Sequence, residues 1–138
     1  MKKLMLVLAL ALALAGVGVA QAVTETSSVK ATEVEFHIKL STPSAKAGTV
    51  AFTVKNAGHL AHQFLVLKTK LAAGNLPVKG TTVNVAKAGK LIGGISGAGL
   101  RAGASKTVAL SLPPGHYVLF CNLPAHYKSG QYAAFTVK

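Results

Sequence analysis

Between Thr32 and Leu40 apolar and polar residues alternate one for one, with Val34, Phe36, Ile38 and Leu40 interleaved among Glu33, Glu35, His37 and Lys39. A period of two places every second side chain on the same side of an extended backbone, so the run predicts a half-buried strand. The pattern returns at Val50, Phe52 and Val54 and again at Val108, Leu110 and Leu112. Phe64 to Leu67 and Tyr117 to Phe120 are apolar on both faces, as strands in the middle of a sheet are. A last strand is expected from Tyr132 to Val137. Turn residues fall between these runs at Pro43, Lys46-Ala47-Gly48, Asn56-Ala57-Gly58, Gly74-Asn75, Gly89 and Pro113-Pro114-Gly115. No stretch carries a helical stripe. Leu91 to Gly103, with five glycines, reads as a flexible or tightly turning loop. Seven or eight short strands in one domain predict an all-β fold, a Greek-key antiparallel β-sandwich.

The amino terminus sets the compartment. Lys2 and Lys3 precede an apolar run from Leu4 to about Ala15, and Ala20-Gln21-Ala22 offers small residues around a cleavage point. Residues 1–22 therefore read as a secretory signal, and 23–138 as a single domain in the periplasm or outside the cell. An uncleaved membrane anchor is the alternative, but the apolar core is shorter than the roughly 18 residues a spanning helix needs. About 116 residues remain, enough for a core without disulfides.

Charge narrows the partners. Fifteen Lys and Arg stand against three acids, Glu25, Glu33 and Glu35, so nothing after Phe36 is negative. The lysines are scattered singly and lack the aromatic interleaving of nucleic-acid surfaces, which argues against nucleic acid. A solvated basic surface and electrostatic docking to an acidic redox protein are the two readings, with weak association to an anionic membrane surface a further expectation. The chain is expected to be a monomer.

Cys121 is the lone cysteine, and a free thiol outside the cytoplasm is exposed to oxidation. It ends one strand, His126 lies on the following loop, and Gln131 opens the next strand, so antiparallel pairing would bring all three to one rim of the sandwich. His62 starts the strand Phe64 to Leu67 and would join them there. One thiolate, two imidazoles and a weak fourth donor make the blue-copper arrangement, soft enough for Cu(I) and basic enough for Cu(II).

The segment Pro114-Gly115-His116-Tyr117-Val118-Leu119-Phe120-Cys121-Asn122-Leu123-Pro124-Ala125-His126-Tyr127-Lys128-Ser129-Gly130-Gln131 resembles the cupredoxin pattern P-G-x-Y-x-x-x-C-x-x-P-x-H-x-x-x-G-M of the plastocyanin and sulfocyanin type. Upstream, Asn56 to Phe64 resembles N-x-G-x-x-x-H-x-F, which supplies the first histidine. The likeness spans the chain from about Val29. It implies a single type 1 copper ion held equatorially by His62, Cys121 and His126, with Gln131 replacing the usual axial methionine, as in phytocyanins of the stellacyanin type. The carbonyl of Ala61 is a candidate for a second weak axial contact. An amide oxygen is a harder donor than a thioether, so a lowered reduction potential is expected.

Bland readings compete at each position. Cys121 could be a small core residue, His59 could stand in for His62, and Gln131 could be an exposed strand residue. His37 and His116 read as ordinary strand or turn residues. The resemblance further implies an exit for electrons at His126, ringed by Leu123, Pro124 and Ala125 with residues of the 93–99 segment. An exported copper carrier or copper-homeostasis protein is the alternative function, although Met1 and Met5 are the only methionines and both lie in the signal. A metal-free adhesion sandwich is a third. Enzymatic turnover is not expected, because the coordination sphere would be full and the chain has neither a Ser-His-Asp set nor paired carboxylates for acid-base work.

Overall fold

The computed structural model describes residues 25–138; the proposed signal at 1–22 lies outside them. Eight strands are longer than two residues: β1 Ser27–Val34, β2 His37–Leu40, β4 Gly48–Asn56, β5 His62–Lys68, β8 Lys90–Leu100, β9 Ser105–Leu112, β10 Gly115–Phe120 and β11 Tyr132–Val137. Three two-residue bridges complete the set, β3 Ser44–Ala45, β6 Val78–Lys79 and β7 Thr82–Val83. One sheet runs β2-β1-β4-β9 and the other β3-β11-β10-β5-β8, while β6 and β7 form a small ribbon of their own. The chain repeatedly changes sheet between consecutive strands, giving the expected sandwich. Two pairings depart from the antiparallel expectation: β1 lies parallel to β4, and β11 parallel to β3.

The main core fills the space between the sheets. Val29, Val50, Phe52, Val54, Phe64, Val66, Leu100, Leu112, Tyr117, Leu119 and Phe135 are all buried there. Phe52 packs against Phe64 and Phe135 with ring centroids 5.3 and 5.4 Å apart, the tilted and edge-on contacts aromatic rings favour. Both faces of β5 and β10 are apolar for a clear reason. Their outward side chains Leu65, Leu67, Val118 and Phe120 lie under the long connection from β5 to β8, packed with Leu76, Val83, Ala88 and Tyr127.

The run from Thr32 to Leu40 is not one strand. It folds into a hairpin in which Glu33 pairs with Ile38 and Val34 with His37. The inward phase of β1 is set upstream by Val29 and Ala31, which lie opposite Phe52 and Val54 of β4. Keeping that phase carries Glu33 into the interior at 0% exposure and turns Val34 and Phe36 outward at 36% and 37%. The turn at Glu35 and Phe36 then restores Ile38 to the core.

The glycine-rich stretch is not a loop either. Residues 90–100 form β8, which pairs with β5 through Phe64–Ile95, Leu65–Gly94 and Val66–Gly93, with irregularities on both sides. Gly94 has φ +145°, and a Cβ there would collide with the Phe64 carbonyl oxygen. A Cβ on Gly93 would meet Leu110 Cδ2 at 2.9 Å. These glycines permit close approach inside a bulged strand.

Candidate metal centre

The strand ends converge as the period-two reading predicts. Phe120 pairs with Tyr132 across β10 and β11, and the Cys121 N–H donates to the Gln131 carbonyl at 3.0 Å. On its other side β10 pairs with β5, Phe120 facing Leu65, so His62 at the start of β5 reaches the same rim. His62, Cys121 and His126 each offer a ligand atom, all within 4.8 Å of one another. Cys121 Sγ is 3.3 Å from His126 Nδ1, which is 3.2 Å from His62 Nδ1. His126 therefore turns Nδ1 toward the sulfur, and His62 turns its own Nδ1 toward that same nitrogen. His59 is exposed and outside the cluster.

Gln131 is fully buried rather than swung into solvent. Its Nε2 donates to the His37 carbonyl at 3.4 Å, while Oε1 has no partner. A buried amide oxygen without a donor is costly, and an added cation would satisfy it. A thiolate and two imidazoles make a donor set that fits copper.

The loops carrying these residues are pinned from several directions. Asn56 Nδ2 donates to the carbonyls of Leu60 at 2.7 Å and Leu100 at 2.9 Å, and Asn56 Oδ1 accepts the Gly58 N–H, fixing the approach to His62. Between Cys121 and Gln131, Asn122 Oδ1 accepts the Val83 N–H at 2.7 Å and the Tyr127 hydroxyl donates to the Ala73 carbonyl at 2.6 Å. The Gln131 N–H closes back on the His126 carbonyl at 3.1 Å. The connection between β5 and β8 thus braces the His126 loop, a role the sequence did not reveal.

Burial pushes the Cys121 thiol up, opposed by the backbone amides of Gln63 and Leu123, and Glu33 adds a further upward push. The Gln63 N–H lies 3.2 Å from Sγ. Burial holds the His126 imidazole below its ordinary range, and the neighbouring His62 reinforces this. In the metal-free protein these directions favour a neutral thiol and a neutral imidazole; cation binding would release the thiol proton.

Two acids that sequence reasoning placed on an outer strand face belong to this end of the molecule. Glu35 Oε1 accepts the N–H groups of His59 at 2.9 Å and Leu60 at 2.8 Å and lies 3.2 Å from His62 Nε2. The amides of Leu60 and His59 pull its carboxyl down to about 2, so it is ionised. Glu33 is buried with both carboxylate oxygens unpartnered, and desolvation raises it to about 8. Their only sequence signal was scarcity, two of three acids lying two residues apart.

His126 is partly exposed, with the Phe36 ring edge-on at 5.2 Å. Pro124 and Ala125 are exposed nearby, as expected, and Leu123 is half-buried. The 93–99 segment contributes less than expected, because Gly93 and Gly94 sit opposite Val66 and Leu65 in mid-strand. His37 is exposed, and His116 Nδ1 is 3.1 Å from the Thr69 carbonyl at the far end of β10. No helix among the described residues is long and apolar enough to cross a membrane.

Residues 19–138 match the family model described as the Sulfocyanin (SoxE) domain. No curated protein matches the chain. Among solved structures, the dithionite-reduced auracyanin of the photosynthetic bacterium Roseiflexus castenholzii is similar at 24% identity, covering 82% of this chain and 96% of that one with a TM-score of 0.56. The copper protein rusticyanin is similar at 19% identity, covering 82% and 78% with a TM-score of 0.59. Rusticyanin from Thiobacillus ferrooxidans, at 17% identity, covers 82% and 77% with a TM-score of 0.56. At these identities the likeness is one of fold.

Proposed function

Because the chain belongs to the sulfocyanin family of blue copper cupredoxins, we propose that it carries single electrons between redox partners outside the cytoplasm, using one copper ion that His62, Cys121, His126 and Gln131 would hold. The single observation that carries this reading is the convergence of the Cys121 sulfur with one ring nitrogen each of His62 and His126, all within 4.8 Å of one another. When bound, the copper would supply a one-electron couple. The protein's part is to hold its donors still, which the braces at Asn56, Asn122 and Tyr127 do. Rigid donors lower the rearrangement that accompanies each electron transfer. His126, partly exposed beside Phe36, is the path by which electrons enter and leave.

The basic balance of the chain suits an acidic redox protein as partner: its formal net charge is +12, with Lys2 and Lys3 of the proposed signal included. The copper-loaded protein is expected to exchange electrons rapidly with itself and with such a partner. The cross-reaction should slow by about tenfold or more from low to high salt as steering is screened. Slow self-exchange would instead favour a copper carrier, and a salt-independent cross-reaction would remove the acidic partner.

Gln131 sets the couple low in this reading, its support being a buried amide oxygen with no other partner. Replacing Gln131→Met exchanges a hard oxygen for a soft thioether and should raise the reduction potential by at least about 59 mV, a tenfold change in Cu(I) over Cu(II) preference. Voltammetry on the two proteins decides it, and an unchanged potential would mean that the amide does not ligate.

A further inference from the structure

We propose that Glu35 is a positioning residue for the copper centre, its carboxylate locking His62 with Nδ1 turned toward Cys121 and His126 and its charge favouring the oxidised ion. The inference rests on the copper reading above and adds a second device, independent of Gln131, that sets the couple.

The geometry is specific. Glu35 stands in the turn between β1 and β2, and its Oε1 gathers three bonds: the N–H groups of His59 and Leu60 at 2.9 and 2.8 Å, and His62 Nε2 at 3.2 Å. An ionised carboxylate only accepts, so His62 Nε2 must carry a proton, and in the neutral ring that leaves the lone pair on Nδ1. The opposite end of the ring agrees. His126 Nδ1 can then donate toward both His62 Nδ1 at 3.2 Å and Cys121 Sγ at 3.3 Å. The His62 side chain is fully buried, and among the described residues its Nε2 is paired with Glu35. The backbone leaves space for this carboxylate: a Cβ on Gly58 would come 2.8 Å from the Glu35 Cδ. Any larger residue at 58 would displace it.

A carboxylate behind a ligating imidazole fixes its tautomer and raises its basicity, and loss of such a partner costs about 10- to 100-fold in metal affinity. Because the carboxylate charge attracts the doubly charged ion more than the singly charged one, Cu(II) gains more than Cu(I). Glu35 also ties down the loop before His62, so a purely structural role has to be separated from this one. Glu35→Gln does so, since the amide oxygen can still accept from His59 and Leu60 while the charge is gone.

The test has two arms. In the copper-loaded protein, Glu35→Gln is expected to keep its visible band while its Cu(II) over Cu(I) preference falls about tenfold, which for one electron is about 59 mV upward. A blue variant whose preference moves less than twofold overturns the proposed charge effect. In the copper-free protein, nitrogen-15 NMR of the imidazoles should show His62 protonated at Nε2, and Glu35→Ala should lose that single tautomer. A wild-type His62 protonated at Nδ1, or an alanine variant with an unchanged tautomer, overturns the positioning role. If the wild type itself binds no cupric ion in a coloured complex, the copper reading fails and the charge effect falls with it, while the NMR arm still decides whether Glu35 holds His62.

Discussion

Loading the oxidised protein with cupric ion is expected to produce an intense blue or green absorption band, and Cys121→Ser is expected to abolish it. The band would come from charge transfer between sulfur and copper, so it requires the thiolate itself. Sγ lies 3.3 Å from His126 Nδ1 in a position closed to solvent. Serine keeps the size and loses the soft donor, so copper affinity should fall by more than the roughly 100-fold that outer-shell changes cost. The fold should survive, because the substitution removes no main-chain bond between β10 and β11. Unchanged far-ultraviolet dichroism in the serine variant would establish that. A persistent intense band in Cys121→Ser, or a colourless wild type, would remove sulfur ligation and with it the redox role.

Much of this site was legible because strand geometry is simple. When two antiparallel strands are joined by a loop, the end of one and the start of the next share a rim, and that alone places Cys121 beside Gln131. The two-sided apolar runs at 64–67 and 117–120 marked the paired central strands, whose neighbouring ends bring His62 to the same place. His62 rather than His59 joins the cluster, because residue 62 begins the buried strand while residue 59 remains in the exposed loop.

What the pattern hid was phase. An alternating run fixes which residues share a face only while the backbone stays extended, and the turn at Glu35 and Phe36 breaks it. Reading 32–40 as one strand put Glu33 outside and Phe36 inside, the reverse of what is found. The first acid is thereby carried into the interior, the second is brought to His62, and Phe36 is set against His126. The glycine-rich stretch misled for a related reason. Glycine signals freedom in a loop and tight approach in a strand, and only the partners Phe64 and Leu110 distinguish the two. Neither parallel pairing had a local signal, since a parallel partner is chosen by a crossover rather than by an adjacent turn.

Stability of the copper-free protein should fall as pH rises from about 4.5 to about 8, and Glu33→Gln should flatten that dependence. Glu33 is buried with no partner for either oxygen, and desolvation raises its carboxyl from 4.5 to about 8. Between those values the folded chain keeps a proton that the unfolded chain releases, so each step up in pH favours unfolding. At about 1.4 kcal/mol per pH unit, the whole rise costs about 5 kcal/mol of folding free energy. The contribution is fully present below the ordinary carboxylate range and is lost as pH passes the folded value. Glutamine fills the same space without a titrating proton, so the variant should match the wild type near pH 4 and exceed it by several kcal/mol at pH 8, on the scale of that rise. Urea unfolding across this range, with the slope against denaturant held equal, provides the measurement. Parallel curves for the two proteins would mean that Glu33 titrates normally, which would require water or a cation at its oxygens in solution. The same neutrality matters to the metal end, because an ionised Glu33 pushes the Cys121 thiol up and opposes the thiolate that copper needs. Keeping this carboxyl protonated below about pH 8 lets the sheet bury an acid without that added upward push on the thiol.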